Sequence, residues 1–423
     1  MAKEDSLFFY SLLFFSKICL LFFALFLPWH GAITVFLPPI FRFWKEGLIV
    51  LLFLIVLILE FRLWWRHVWP RNYISSFFAF SFLVWIGVLL FLNDDPSTAA
   101  IAARYLGMGV LVFLLVSRLL QHLDALKKKE WIAQFSSFFI FSAFLSVLFA
   151  TWAKFLGGFE ILKHFYSQTI SSWVPGQIIP LYHETSGHIR FQGASSGPTE
   201  FSHLLFVGIF LLPFLRVKKW IKIFLGIVFL FGILESFSRA AFLGTVLFFL
   251  FLFWKDIIGF LKKKNFPPRI VRQFFIIFIC IFGLFALFFG QERSLFTRSG
   301  TAEHFFRPIE AFRLGLHSPI VGQLGKIGPA ARSKNLEENH DDTAMISENV
   351  FVDIFVQTGI LGVLFIFGFF VFCFLESESL GKIFILISFL LANMATLFDM
   401  TPIALAFFLV FAFFLKRDTK IKR

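Results

Sequence analysis

Charged residues and cysteines are scarce in this chain. Charged side chains make up 15% of its 423 residues and hydrophobic ones 58%, a composition that excludes an ordinary soluble globular domain. The three cysteines, Cys19, Cys280 and Cys373, lie far apart inside apolar runs, which argues against disulfide bonds and cysteine metal sites. Histidines occur without HxxxH or HExxH spacing, and CxxC and Walker GK[ST] motifs are absent. We therefore expect neither a metal nor a cofactor.

Long apolar runs dominate the sequence instead. Phe occurs 70 times, and runs of about 20 apolar residues recur from end to end, which is typical of transmembrane helices. The sequence predicts an all-α polytopic membrane protein, with one integral membrane domain over 1–423 and roughly twelve spans. The proline-containing run 28–46 is expected to be re-entrant or interfacial. The predicted spans lie near 7–27, 47–61, 73–92, 98–120, 132–156, 199–215, 220–236, 240–260, 272–290, 349–374, 381–398 and 401–415.

The net charge of +13 comes from Lys and Arg residues in short gaps between these runs. The basic clusters occupy every second gap, so the positive-inside rule places them and both termini in the cytoplasm. This pattern excludes nucleic acid as the partner and makes membrane lipids the surroundings. The two long loops, 157–198 and 291–347, then fall on the extracytoplasmic side. Long loops of mixed Gly, Pro, His and Arg are typical of functional sites.

Two arginines in or near the first loop are candidate anion-binding groups. Arg190 begins the sequence RFQGASSGPTE, in which Thr199 is a candidate cap for the following helix. Arg190 could hold an anionic group near that helix start, or it is simply solvated. Arg239 opens the apolar run that follows Ser238. It is either a fixed cation for phosphate or a residue that snorkels to the lipid head groups.

The second loop carries four candidate ligand-binding side chains: Arg298, Arg307, Arg313 and His317. The segment 307–316 predicts a short amphipathic helix with Pro308 at its first position. Glycines at 322, 325 and 328 predict a bend at which the backbone approaches another group closely.

The segment 347–362, SENVFVDIFVQTGILG, predicts the start of a membrane helix. Ser347 is the expected N-cap, with Glu348 in the first turn, where the helix dipole favours an acid. Asn349, Asp353 and Gln357 recur at helical spacing on one face. Because a polar stripe in a span is costly, we expect this face to contact protein or water rather than lipid.

Three of these fragments, taken in order, resemble the O-antigen ligase/polymerase family of bacterial membrane glycosyltransferases. They are RFQGASSGP at 190–198, Ser238-Arg239 at the start of a span, and the stretch from Arg307 through HSPIVG and Glu348-Asn349 to QTGILG at 357–362. The resemblance covers about residues 185–365. It implies an inner-membrane enzyme whose donor is an undecaprenyl-diphosphate-linked glycan. The acceptor is lipid A-core in a ligase and another lipid-linked glycan in a polymerase.

The resemblance also implies roles for individual residues. Arg239 and Arg307 would bind the diphosphate, with Arg190 and Arg298 as further matches. Arg313, His317 and Asn349 complete the candidate binding set. Glu348 stands where the ligases carry His, which favours a polymerase-like member in which Glu348 is the base that deprotonates the acceptor hydroxyl, with His317 or His340 as the fallback.

Other functions stay open from the sequence. Within the same enzyme class, the chain could be a ligase to lipid A-core or a protein O-oligosaccharyltransferase, because no acceptor motif is legible. A polytopic transporter or flippase is the main alternative from another class, and a non-catalytic assembly protein is a third. A transporter predicts internal repeats and substrate groups near mid-membrane, whereas the basic residues here concentrate in two loops at one face.

Overall fold

The computed structural model describes residues 2–65, 73–166, 181–185, 187–263, 298–337, 347, 349–393 and 400–416. Almost all of this part of the chain is helical. Its helices are α1 Ala2–Phe26, α2 His30–Phe36, α3 Trp44–Trp65, α4 Ile74–Leu92, α5 Pro96–Gln121, α6 Ala125–Phe155, α7 Gly158–Tyr166, α8 Pro198–Leu211, α9 Lys219–Glu235, α10 Arg239–Lys263, α11 Arg298–Gly315, α12 Gly328–Glu337, α13 Val350–Glu376, α14 Ser379–Ala392 and α15 Thr401–Phe413.

Five helical segments among the described residues are long and apolar enough to cross a membrane: Phe8–Phe36, Ile74–Leu92, Pro96–Gln121, Ala125–Phe155 and Val350–Glu376. This agrees with the predicted class of all-α membrane protein. The predicted span 272–290 lies outside the described residues. The structure also contains a small antiparallel ribbon of β1 (His183–Thr185) and β2 (His188–Arg190). The sequence did not predict these strands.

Helix α15 lies at the centre of the bundle. Each of its residues is buried, and it packs against α5 and α8. Gly109 of α5 faces Phe408, where an added Cβ atom would lie 2.8 Å from the ring. A helix that is apolar on all sides needs such an enclosed position. The outer helices expose Phe side chains instead, such as Phe77 and Phe80 on α4, as expected for surfaces that face lipid.

The run 28–46 is a broken segment rather than a span. After α1 the chain forms a short 3₁₀ helix at Leu27–Trp29, then α2, then a second 3₁₀ helix at Pro39–Phe43 before α3. Two bonds anchor it to α6: the Trp29 indole donates to Ser142 O over 3.2 Å, and the Ser146 hydroxyl donates to Pro28 O over 3.3 Å. This irregular backbone is thus covered by protein, as membrane depth requires.

At one end of the bundle, hydrogen bonds connect chain segments between helices that the positive-inside rule predicts to lie on the same side of the membrane. The Glu376 carboxylate accepts from the first amide of α4, Ile74 N, over 2.6 Å. Lys128, in the first turn of α6, donates to Leu415 O over 2.6 Å. All of these residues flank gaps that the sequence predicts to share one face.

The opposite end of the bundle holds the segments that carry the candidate site residues. Asn93, after α4, donates to Leu324 O of the second loop over 2.9 Å. Ala32 N of α2 donates to Ala194 O of the first loop over 2.8 Å. The two long loops therefore pack onto the same end of the helix bundle that holds the broken segment.

Candidate functional site

The first loop docks onto the turn between α9 and α10. Arg190, the last residue of β2, donates from Nε to Ser236 O over 2.8 Å. The next residue, Phe191, donates its backbone N–H to Glu235 O over 2.9 Å. The Phe191 ring is buried, so the strand end is held by both hydrogen bonding and packing. These contacts bring Arg190 to the turn that leads into Arg239.

The turn itself has an unusual backbone. Phe237 adopts a left-handed conformation with φ of 55°, which is rare for an aromatic residue. The His188 ring stacks on Phe237 with the ring centroids 6.1 Å apart. The Ser236 hydroxyl accepts from Ser238 N over 3.3 Å. Strained residues held by surrounding structure cluster at functional sites, and this one orients Arg239 as the first residue of α10, as the sequence predicted.

Positive charge is concentrated at this corner, which we define by Arg190, Arg239, Lys154 and Glu235. Lys154, near the end of α6, forms an ion pair with Glu235 over 2.8 Å. Burial, and secondarily the charge of Arg239, lowers the pKa of the Arg190 guanidinium to about 10. Arg239 acts on Arg190 because it lies three residues beyond Ser236, whose backbone oxygen accepts from Arg190 Nε. With three cations against one carboxylate, the corner favours an anion.

A small pocket with room for about one water molecule adjoins the corner. Lys154 and Arg190 line its charged side, and aromatic residues such as Phe159 and Tyr166 line the remainder. Burial raises the pKa of the Tyr166 phenol to about 12, so this hydroxyl stays neutral. The pocket places the cations of Lys154 and Arg190 beside apolar surface.

His183 is a titratable neighbour of the corner. Its Nδ1 donates to Gln192 Oε1 over 2.9 Å, because an amide oxygen can only accept. Burial lowers the pKa of His183; the Gln192 bond opposes this shift and the charge of Arg190 adds to it. The imidazole is therefore neutral near pH 7, with its lone pair on Nε2.

The second loop lies on a different scaffold, α11 and α13. Helix α11 begins at Arg298 and passes through Pro308. The predicted helix start at 307 was therefore wrong, because the residues before Pro308 are helical as well. Arg307 is half-buried, whereas Arg313 and His317 are exposed. Glu348 and His340 lie outside the described residues, so their proposed roles stay predictions.

The glycine-containing bend of the second loop packs against the backbone of α13. Gly359 interrupts α13 with φ of 65° and ψ of −170°, and the loop fills the break. Ile360 N donates to Pro319 O, and Gln323 N donates to Val356 O, each over 2.8 Å. The loop thus satisfies backbone groups that the broken helix leaves without a helical partner.

Two of the glycines make this approach possible. A Cβ atom at Gly322 would lie 2.4 Å from Gly359 N, and one at Gly325 would lie 2.7 Å from the Thr98 side chain. Both residues have positive φ. The close backbone approach predicted at these glycines is therefore confirmed. Gly322 approaches the backbone of α13, and Gly325 approaches Thr98 of α5.

The start of α13 differs from the prediction in one respect. Asn349, rather than Ser347, is the N-cap, and its side chain accepts from Phe351 N over 3.0 Å. Ser347 instead donates to Asn349 O over 2.8 Å. Asn349 therefore has a structural task in addition to any role in binding. Asp353 and Gln357 are buried, so the polar stripe faces protein, as expected.

The start of α8 also corrects a prediction. Gly197 is the N-cap and Pro198 occupies the first turn, so Thr199 does not cap the helix. Thr199 O accepts from His203 Nδ1 over 2.7 Å. The sequence at 193–197, GASSG, matches the Gly-x-Ser-x-Gly pattern of serine hydrolases. Ser195 is fully buried, and its hydroxyl has no hydrogen-bond partner in the described part of the chain, so it is not set up as a nucleophile.

The structure thus brings Arg190 and Arg239 together, and places Arg307, Arg313, His317 and Asn349 around α11 and α13. Arg298 begins α11. Lys154 of the corner and its neighbour His183 are not among the site residues that the sequence predicts. Lys154 had a usable signal, since it is a basic residue at the predicted extracytoplasmic end of a span. Within the described ranges, no three His, Cys, Asp or Glu side chains lie together as a metal site requires.

Comparison with known proteins adds no relative. No protein-family model matches the chain, and a search of the curated proteins finds no match.

Proposed function

We propose that the protein transfers a glycan from an undecaprenyl-diphosphate carrier to a hydroxyl acceptor, as a polymerase-like enzyme at the extracytoplasmic face of the bacterial inner membrane. Both termini would then be cytoplasmic. The observation that carries this proposal is the convergence of Arg190 and Arg239 at one corner. The sequence resemblance implies diphosphate binding by Arg239 and Arg307, with Arg190 as a further match.

The corner suits a diphosphate for electrostatic reasons. The two guanidinium groups carry like charge, and after burial their repulsion contributes to the lowered pKa of Arg190. A diphosphate placed between them would reverse that cost. Arg forks bind phosphate oxygens in a bidentate manner, and they stabilise the charge that develops on the leaving diphosphate without a metal ion.

In the reaction, the acceptor hydroxyl attacks the anomeric carbon of the donor sugar. The bond from that carbon to the diphosphate oxygen breaks, and the diphosphate leaves with the electron pair. A base takes the hydroxyl proton. Arg307, Arg298, Arg313 and His317 would guide the head group from the second loop, and Asn349 would hold the start of α13 beside it. Direct displacement inverts the anomeric configuration.

The identity of the acceptor distinguishes the three kinds of enzyme that transfer a glycan from this carrier. A lipid-linked glycan acceptor makes the protein a polymerase, lipid A-core makes it a ligase, and a protein acceptor makes it an O-oligosaccharyltransferase.

A transporter or flippase for an anionic lipid is the second candidate. One observation favours it: α13 is interrupted at Gly359, and interrupted helices build the substrate sites of many transporters. The loop 318–323 fills this interruption with protein backbone. The break therefore has a structural explanation, and the enzyme remains the first candidate.

A deletion strain tests the proposal. It is complemented with wild type, Arg190→Ala, Arg239→Ala or the matched control Arg216→Ala, which removes an exposed arginine from a predicted cytoplasmic gap. We expect wild type and the control to restore a ladder of glycan lengths, and the two corner variants to leave single repeat units at equal membrane levels. Long chains that accumulate on the carrier lipid in the deletion strain would indicate a ligase. A deletion that leaves every surface and lipid-linked glycan unchanged would contradict the proposal.

A further inference from the structure

The ion pair between Lys154 and Glu235 is the part of the cationic corner that the diphosphate binding described above does not use. The Lys154 ammonium lies 2.8 Å from Glu235 Oε2, and the two side chains are only 19% and 13% exposed. The pair joins α6 to the end of α9, but an apolar contact would do so without the cost of removing two charges from water. We therefore ask what the two charges do at this place.

The surroundings of the pair hold both charges in a fixed position. The Lys154 ammonium lies 5.2 Å from the centroid of the Phe155 ring and 5.3 Å from that of the Phe191 ring, within the range of cation–π attraction. Phe191 in turn donates its backbone N–H to Glu235 O over 2.9 Å. The strand end that carries Arg190 therefore also positions the ion pair.

The charged groups of the corner are close together and can be reached from the surface. Lys154 and Arg190 line the same small pocket, and Arg190 Nε donates to the backbone of Ser236, the residue after Glu235. Arg190 and Arg239 are each only partly buried. An anion can therefore bind across the corner from outside, and it does not have to enter the pocket.

The net charge of the corner depends on Glu235. Arg190, Arg239 and Lys154 supply three positive charges, and the Glu235 carboxylate supplies one negative charge. The corner therefore presents two positive charges in excess to an approaching anion. Without the carboxylate it would present three.

The donor and the product of the proposed transfer differ in charge. The diphosphate of the donor is esterified at both ends, so each phosphate has one ionised oxygen and the group carries about two negative charges. When the bond to the anomeric carbon breaks, the leaving diphosphate keeps the electron pair and gains a terminal oxygen whose pKa is about 6. Above that pH the product carries one negative charge more than the donor. The excess charge of the corner thus matches the donor.

We propose that Glu235 is a specificity-determining residue, which limits the positive charge of the corner to that of the donor diphosphate and so promotes release of the more highly charged product. Lys154, held by Glu235, is the third cation that faces the phosphates. The inference rests on the proposed function and deepens it. A neighbouring charge changes an ionisation equilibrium about 10-fold or more. Loss of the Glu235 charge should therefore favour product over donor by about 10-fold.

The test compares two probes that differ by one charge, bound to the full-length protein in lipid nanodiscs. One probe is undecaprenyl diphosphate, and the other is its terminal methyl ester, which has the charge of the donor but no sugar to transfer. At pH 8 the ratio of the two affinities, product over ester, should rise about 10-fold in Glu235→Gln. The matched control is Glu160→Gln, which removes a carboxylate from an exposed ion pair with Lys163 on α7 and should leave the ratio unchanged.

Two further variants separate charge from structure. Lys154→Met removes one positive charge, so the ratio should fall below that of wild type. Lys154→Met combined with Glu235→Gln restores the excess of two positive charges, so its ratio should return close to the wild-type value. If the pair acted only by joining α6 to α9, the double variant would be at least as disturbed as either single variant.

The pH dependence gives a second readout. At pH 5 the terminal phosphate of undecaprenyl diphosphate is protonated, so both probes carry the same charge and the difference between Glu235→Gln and wild type should disappear. Of the groups around the pair, Lys154, Arg190 and Arg239 stay charged. His183 and His188 are present in both proteins, so their protonation affects both sides of the comparison.

An affinity ratio that is equal in wild type and Glu235→Gln at pH 8 would overturn the inference. So would a double variant that keeps the ratio of Glu235→Gln. If Glu235→Gln does not fold, the fall in Lys154→Met and the return in the double variant decide. A wild type that binds neither probe would reject the diphosphate site and this inference together. A ratio that responds as expected in a protein that never transfers a glycan would reject the proposed function and support the charge selection.

Discussion

Substitution of Gly359 by alanine tests the interrupted helix that organises the second loop. The alanine Cβ atom would lie 2.1 Å from Ile320 O, so the loop and the break cannot both persist. The backbone conformation at this position costs a non-glycine residue about 1–3 kcal/mol. Loss of the two hydrogen bonds from Ile360 N and Gln323 N costs about 0.5–1.5 kcal/mol each. We expect Gly359→Ala to lower the free energy of unfolding by about 2–6 kcal/mol.

The matched control is Gly87→Ala in α4, where an added Cβ atom meets nothing within 4 Å. There, alanine should stabilise the helix by up to about 1 kcal/mol. Thermal unfolding in nanodiscs gives the stability of each variant, and hydrogen–deuterium exchange gives the local effect. Gly359→Ala should accelerate exchange at 318–323 and Gly87→Ala should not. Equal midpoints and equal exchange in the two variants would refute the assignment of the loop to the helix break.

Two further predictions concern the contacts that hold the loops. The pKa of Asp95 lies below its usual range because Lys334 forms a hydrogen bond with the carboxylate, as do Ser97 and Thr98. The charged carboxylate therefore stabilises the fold above pH about 4. This stabilisation is lost as the pH falls through the lowered pKa. Asp95→Asn should accelerate exchange in α12 at pH 7, and the difference from wild type should vanish in acid. Ser146→Ala removes the acceptor, 3.0 Å away, of the buried Ala194 N–H; it should destabilise by about 1–3 kcal/mol in thermal unfolding, whereas Ser137→Ala on the same helix should be nearly neutral.

The sequence predicts the helices better than the contacts between them. Length and apolarity locate the five long apolar helices of the described residues, and the polar break before Arg239 correctly predicts the start of α10. The ribbon at 183–190 was missed because three-residue strands show no periodicity. The sequence predicts Ser347 as the N-cap, although Asn349 is an equally good capping residue. The hydrogen bond from Phe351 N to the Asn349 side chain identifies Asn349 as the cap.

The candidate site was predictable only in part, for a physical reason. Arg190 and Arg239 carry legible signals, because each is a charge at the edge of an apolar run. Their proximity depends on how β2 docks on the turn after α9, which no local pattern specifies. The ion pair between Lys154 and Glu235 likewise joins α6 to the end of α9, which are far apart in sequence. Such pairs become visible only in the folded chain.

The most direct measurement is transfer by the purified protein. Wild type in nanodiscs is incubated with an undecaprenyl-diphosphate-linked oligosaccharide, without nucleotide sugar or added metal, and the lipid products are resolved by mass spectrometry. We expect longer lipid-linked glycans and an equal amount of released undecaprenyl diphosphate, with both products lost in Arg239→Ala and retained in Arg216→Ala. Donor that stays unchanged with folded wild type, while a labelled anionic lipid crosses the bilayer of reconstituted vesicles, would contradict the account and establish transport instead.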